Sequence, residues 1–186
     1  WAFGNMGMQD KAKHLATLYL EDLSDFITEC IDENFGFSRY AERLGMSANS
    51  FDELYSILNE KPTFIDSITL ELLSKSIDET APKLVCFSVP FPGNLYSAFR
   101  CAQYIKQHLP EIKICMGGGF PNTELRSLTD PRVFEFFDFI TLDDGELPIE
   151  LVYQFIQENS PATFDFKRTY YLDNGIVVYN NKSDKS

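Results

Sequence analysis

The stretch "KLVCFSVPFPGNLYSAFRCAQYIKQHLPEIKICMGGG", residues 83–119, decides the fold. Its first seven residues, 83–89, are a short continuous apolar run, as expected of a strand buried on both faces of a parallel sheet. The period then changes. Leu95, Phe99, Ala102, Ile105 and Leu109 recur at steps of three and four, the inner stripe of a helix over 94–110 that ends at Pro110. A second apolar run, "IKICM" at 112–116, stops abruptly in Gly117, Gly118 and Gly119.

Downstream the rhythm repeats. A helical segment is predicted around 122–128 and a second short one in "DPRVFEFF". A third strand follows in "FDFITL" (137–142), then a helix in "ELPIELVYQFIQ" (146–157). Alternating strands and helices predict a Rossmann-like, three-layer α/β domain of parallel strands joined by right-handed crossovers. Three strands are few for such a sheet, so it reads as truncated, with two more strands expected on the N-terminal side. Phe134, Phe136 and Phe137 read as core. Beyond Pro161, "RTYYLDNGIVVYN" (168–180) holds two β-rich runs around Asp173-Asn174-Gly175, a hairpin signal.

Upstream, the first 80 residues read as helical. Ala12, Leu15, Tyr19, Leu23, Phe26, Ile27 and Cys30 predict an amphipathic helix over 9–33. A short helix is expected at 38–44, stopped by Gly45. Another is expected at 51–59, capped by Ser50 with Glu53 as the reciprocal partner, and a fourth at 66–79, ended by Ala81-Pro82. The organisation is therefore a helical segment (1–80), an α/β domain (81–160) and a β-hairpin connector with a polar tail (161–186).

Composition narrows the function. The 186 residues carry 16 basic and 28 acidic side chains, a net charge of −12 with no basic stripe, which argues against binding a phosphate backbone. No apolar run approaches the roughly 18 residues of a membrane span. The four cysteines, at 30, 86, 101 and 115, form no CxxC pair, and His14 and His108 are the only histidines, so no zinc or iron–sulfur motif is present. Cys86 and Cys115 lie in apolar runs and read as small buried hydrophobes, with a disulfide between them as the alternative. A reducing, cytoplasmic setting fits, with no nucleic acid or membrane as partner. The chain starts at Trp1 and ends in "NNKSDKS", so it is expected to be part of a longer polypeptide.

Ligands of open parallel sheets sit outside the carboxyl ends of the strands. Three loops leave those ends: Ser88-Val89-Pro90-Phe91-Pro92-Gly93, Gly117-Gly118-Gly119-Phe120, and Asp143-Asp144-Gly145-Glu146. Glycine permits close main-chain approach or a positive φ. The triplet thus suggests a shelf for something flat or bulky, or else a tight turn that binds nothing. Position 122 is Asn, so GxGxxG fails, and no Lys-Ser or Lys-Thr follows as in a P-loop. Asp143, Asp144 and Glu146 could hold Mg²⁺, as in an acidic metal-dependent hydrolase. Otherwise Gly145 makes a turn and Glu146 favours the positive end of the next helix. Ser88 has no visible His–acid partner and no G-x-S-x-G elbow.

The segments "LVCFSVPF", "YIKQHLPEIKICMGGGFPN" and "FDFITLDDGELPIELV" resemble the cobalamin-binding domain that precedes the catalytic core of many radical S-adenosylmethionine enzymes, an Fe-S oxidoreductase group. The 26 residues 91–116 between Ser88-Val89-Pro90 and Gly117-Gly118 fit that family's spacing. The resemblance covers 83–157. It implies a cobalamin site built from Ser88, Val89, Pro90, Phe91, Gly117, Gly118, Gly119, Phe120, Asp144, Gly145 and Glu146. "YAERLG" (40–45) stands where the wider family carries Asp-x-His-x-x-Gly, with Glu42 in place of the His, so cobalt would face water or substrate. Gly119-Phe120 stands where Pro-His is common. The chain has no CxxxCxxC motif, so the Fe-S cluster and S-adenosylmethionine would belong to a downstream core in the same polypeptide. The chain alone is then a non-catalytic accessory domain. A cofactor-free domain of the same fold, positioning a substrate or a partner, is the other expectation.

Overall fold

The computed structural model describes residues 5–37, 51–158 and 164–181. Its centre is a mixed five-stranded sheet in the order β1-β2-β3-β4-β5. The strands are β1 (Leu84–Ser88), β2 (Lys113–Gly117), β3 (Phe139–Thr141), β4 (Thr169–Asp173) and β5 (Ile176–Asn180). β1, β2 and β3 run parallel, with Cys86 opposite Cys115 and Ser88 opposite Gly117. β4 then pairs antiparallel with β3, and β5 with β4. The chain is thus α/β, and the expected hairpin is present. Its place was not foreseen: it extends the sheet, which is mixed where a parallel one was predicted. Pairing buries Thr169 and Tyr170 at the junction, and the Leu142 amide donates to the Arg168 carbonyl just before it (2.8 Å).

The helices are α1 (Asn5–Cys30), α2 (Asp52–Leu58), α3 (Phe64–Thr80), α4 (Leu95–His108), α5 (Gly119–Glu124) and α6 (Glu146–Glu158). Short 3-10 turns occupy Pro92–Asn94 and Pro131–Glu135. Val85, Phe87, Ile114, Met116 and Ile140 turn to one sheet face and pack with Phe99, Ile105 and Phe137. Cys115, Phe139 and Tyr171 turn to the other and pack with Val152, Phe155 and Phe166. The alternation follows from the two-residue strand repeat. α4 thus lies on the first face and α6 on the second.

β1 departs from expectation. It is the outermost strand, and its residues alternate between half-buried and exposed. Cys86, read as a buried hydrophobe, is exposed, whereas Cys115 beside it is buried. α6 packs against Leu84, Cys115 and Phe139, and the rest of that face of β1 lies beyond this contact. The further strands expected ahead of β1 are not among the described residues.

α2 and α3 join the α4 face, since Leu54, Leu58 and Ile77 belong to the same core as Phe99 and Met116. Thr63 and Asp66 form a reciprocal cap at the start of α3, and Ala81 ends it at φ 44°. Ser50 lies outside the described residues, as do the helix expected at 38–44 and "YAERLG". α1 is long and helical as predicted, but Leu15, Tyr19 and Phe26 on it are exposed. No helix among the described residues is long and apolar enough to cross a membrane.

Candidate functional site

The three loops leave the sheet at the same end, because each follows the carboxyl end of one of three parallel, adjacent strands. Main-chain bonds weld the first two. The Val89 amide donates to the Gly117 carbonyl (2.7 Å), and the Phe120 amide donates to the Val89 carbonyl (2.9 Å). Asn122 welds the second to the third: its side-chain oxygen accepts from the Asp143 amide, and its Nδ2 donates to the Asp143 carbonyl (3.4 Å). Arg126, just after α5, pairs with the Asp143 carboxylate. Asp143 pushes that guanidinium's pKa still higher.

The glycines have a specific job. Gly118 sits at φ 108°, ψ −169°, a conformation essentially reserved for glycine. A Cβ there would lie 2.8 Å from the Val89 nitrogen and oxygen. One on Gly119 would lie 2.7 Å from the Pro90 oxygen, and one on Gly117 would lie 2.8 Å from Thr141 Oγ1. The close approach that glycine permits is therefore made by the chain's own Val89-Pro90 main chain and Thr141. The turn into α5 comes at once, so that helix starts at Gly119, three residues ahead of the expected 122.

The expected site residues divide by exposure. Ser88, Pro90, Phe91, Gly119, Asp144 and Glu146 reach the surface, Phe91 being 68% exposed. Val89 and Phe120 turn into the core beside Leu95 and Met116, so each contributes main chain and no side chain to the rim. Gly117, Gly118 and Gly145 are half-buried.

The third turn has its positive φ on Asp143 (59°), since aspartate tolerates the left-handed region and Asn122 holds Asp143 from both sides of its peptide. Glu146 does lie in the first turn of α6, where a negative charge suits the helix dipole. Asp144 stands 3.8 Å from the Arg168 guanidinium. Asp143 and Asp144 each thus have an arginine within 4 Å. Among the described residues no group of three or more His, Cys, Asp or Glu side chains could hold a metal ion.

His14 lies on α1. His108 ends α4, at the opposite end of the sheet, with its ring stacked on Tyr104 (centroids 4.3 Å apart) and its Nδ1 2.9 Å from the Tyr104 carbonyl.

Two of the depressions among the described residues lie elsewhere. One of about 660 Å³ lies between α3 and α4, lined by Glu71, Lys75, Asp78 and Tyr104 among others. The other, about 500 Å³, lies on the hairpin between Tyr171, Val178 and Asn180. The periodic pattern gave no signal for either.

Sequence reading also missed a buried polar group. Tyr96 Oη donates to Asp66 Oδ2 (2.6 Å) and accepts from Arg100 Nη2 (3.0 Å). Arg100 also donates to the carbonyls of Ile57 (3.0 Å) and Leu58 (2.9 Å) at the end of α2. A lone basic residue inside an apolar helical stripe is the signal that could have found it.

No family model matches the chain, and neither a curated protein nor a solved structure matches it significantly.

Proposed function

We propose that this chain is a cobalamin-binding-like accessory domain, working beside a downstream radical S-adenosylmethionine core of the same polypeptide in the cytoplasm. The single observation that carries the reading is the fusion of three strand-end loops into one rim. Val89 joins Gly117 and Phe120, and Asn122 joins Asp143. A rim outside the carboxyl ends of parallel strands is where open α/β sheets take their ligands. The truncated Rossmann-like plan belongs to this proposal.

The residues fit cobalamin in part. Ser88, Phe91, Gly119, Asp144 and Glu146 are at the surface of the rim and could touch the corrin edge or the nucleotide tail. The Ser88 hydroxyl offers a donor and an acceptor for that tail. His108 lies at the opposite end of the sheet, so it would not serve as a ligand here. Cobalamin would supply group-transfer chemistry at cobalt. The chain would bind and orient it, and the Fe-S cluster and S-adenosylmethionine would be held by the core.

A second reading, a cofactor-free interaction or substrate-positioning domain, is favoured by the packing of Gly117–Gly119 on the chain's own Val89, Pro90 and Thr141. That packing accounts for the triplet without a guest. The acidic hydrolase reading has less support, since Asp143 and Asp144 both face arginines.

Mixing with hydroxocobalamin followed by desalting separates the two. The cofactor reading expects the corrin spectrum to stay with the protein, and expects Ser88→Tyr, a bulky ring on the exposed rim, to lose it while circular dichroism is unchanged. A colourless, folded wild-type protein would leave the interaction domain as the better account.

A further inference from the structure

Cys86 and Cys115 are direct partners across β1 and β2, so both side chains leave the sheet on the same face. Neighbouring strands lie about 4.8 Å apart, inside the roughly 4.4–6.8 Å span of Cα atoms that a disulfide bridges. Both thiols are free. Their surroundings differ sharply: Cys86 is exposed on the outer strand, and Cys115 is 1% exposed under α6. Cys115 Sγ has only weak neighbours besides, the Met116 carbonyl at 3.9 Å and Thr141 Oγ1 at 4.0 Å.

We propose that Cys86 and Cys115 form a peroxide-oxidisable dithiol, in which Cys86 takes the oxygen and Cys115 resolves it to a disulfide. The order follows from access, because solvent reaches Cys86 and not Cys115. In the first step the Cys86 thiolate attacks the peroxide O–O bond. An S–O bond forms, the O–O bond breaks, and the leaving oxygen departs as water after taking a proton. Cys86 is then a sulfenic acid. In the second step Cys115 sulfur attacks the Cys86 sulfur, and the hydroxyl leaves as water with the Cys115 proton. Two thiols and one hydrogen peroxide give one disulfide and two waters. The thiols lose the two electrons that reduce the peroxide.

The electrostatics run the same way. The neighbouring Cys115 thiol holds the Cys86 thiol below its ordinary pKa against the opposing effect of burial, and the same neighbourhood together with burial pushes Cys115 well up. A lowered pKa on the accessible sulfur gives the nucleophile, since the thiolate is the reactive form. Cys101, buried and pushed up to about 11 by desolvation, is the unreactive contrast. This inference stands apart from the ligand reading of the rim.

Trypsin separates the four cysteines into peptides 14–39, 84–100, 101–106 and 114–126, so peptide mass mapping reads each one. The full chain is treated with limiting hydrogen peroxide, alkylated and digested. The expected product is a 84–100/114–126 cross-link, two hydrogens lighter than the reduced pair, with Cys30 still alkylated. In Cys115→Ala, dimedone should trap Cys86 as its sulfenic acid severalfold more than in the wild type. Oxidation of Cys30 ahead of Cys86, or a wild-type dimedone yield equal to that of Cys115→Ala, would overturn the proposal. The wild-type map requires no substitution, so a misfolded variant does not obscure the result.

Discussion

Arg100 and Asp66 form an ion pair inside the molecule, Nε to Oδ2 3.1 Å, with their side chains 4% and 3% exposed. Asp66 comes from the first turn of α3, where it also closes the cap on Thr63. Arg100 comes from α4 and donates to the last carbonyls of α2. One guanidinium therefore holds three helices together. Breaking a buried pair leaves an uncompensated charge, so Asp66→Asn should destabilise the chain by about 3–5 kcal/mol. Urea unfolding followed by circular dichroism measures it. A loss under 1 kcal/mol would mean that water reaches the pair.

Tyr96 adds a pH dependence. Burial first, and then its hydrogen bond to Asp66, raise its phenol well above the ordinary value, while Arg100 acts in the opposite sense. A raised folded pKa contributes stability that is complete below the unfolded value, near 10, and is lost as the pH climbs from there toward the folded value. Tyr96→Phe should cost about 1.5–3 kcal/mol at neutral pH, the loss of a hydrogen bond to a charged group. It should also lose stability less steeply than the wild type above pH 10. Parallel alkaline limbs for the two proteins would contradict this.

Gly118 and Gly175 make a controlled comparison. Both have positive φ, 108° and 80°, but a Cβ on Gly118 meets Val89 main chain at 2.8 Å, whereas one on Gly175 meets nothing within 4 Å. Gly175→Ala should cost only the left-handed strain, about 1–2 kcal/mol. Gly118→Ala adds a main-chain collision to a strain of about 1–3 kcal/mol and should be clearly worse. Thermal melts of the two variants decide it, and equal losses would mean that the Val89 loop yields freely.

The weld at Asn122 is testable by hydrogen exchange. Asn122→Ala removes both bonds to Asp143. The Asp143 amide should then exchange faster, while β2 amides such as Ile114 and Met116 stay protected. Unchanged exchange at Asp143 would show that the main chain alone holds the third loop.

The strands at 84–88 and 113–117 were legible because a run of apolar residues between turn residues has few other uses. The hairpin was legible from Asp173-Asn174-Gly175, but its pairing with β3 was not, because a turn fixes its own two strands and says nothing of a third. α1 shows a similar limit: its spacing reveals an apolar stripe, yet Leu15 and Phe26 are exposed. Periodicity identifies a face and not what covers it. The glycine triplet was read as a shelf for a guest or as a tight turn that binds nothing, because glycine does not identify what approaches. Here Val89 and Pro90 fill that role. The Asp66–Tyr96–Arg100 group lay hidden because its members sit on two helices 30 residues apart, and polar periodicity alone does not tell a buried charge from a solvated one.

The central claim is that the fused strand-end loops form the face that receives a large planar cofactor. Hydrogen exchange of the full chain with and without hydroxocobalamin tests it most directly. The account predicts added protection at 88–93, 117–122 and 143–146, with the depression between α3 and α4 unchanged. Protection confined to that depression or to the hairpin, or none at saturating cofactor, would contradict it.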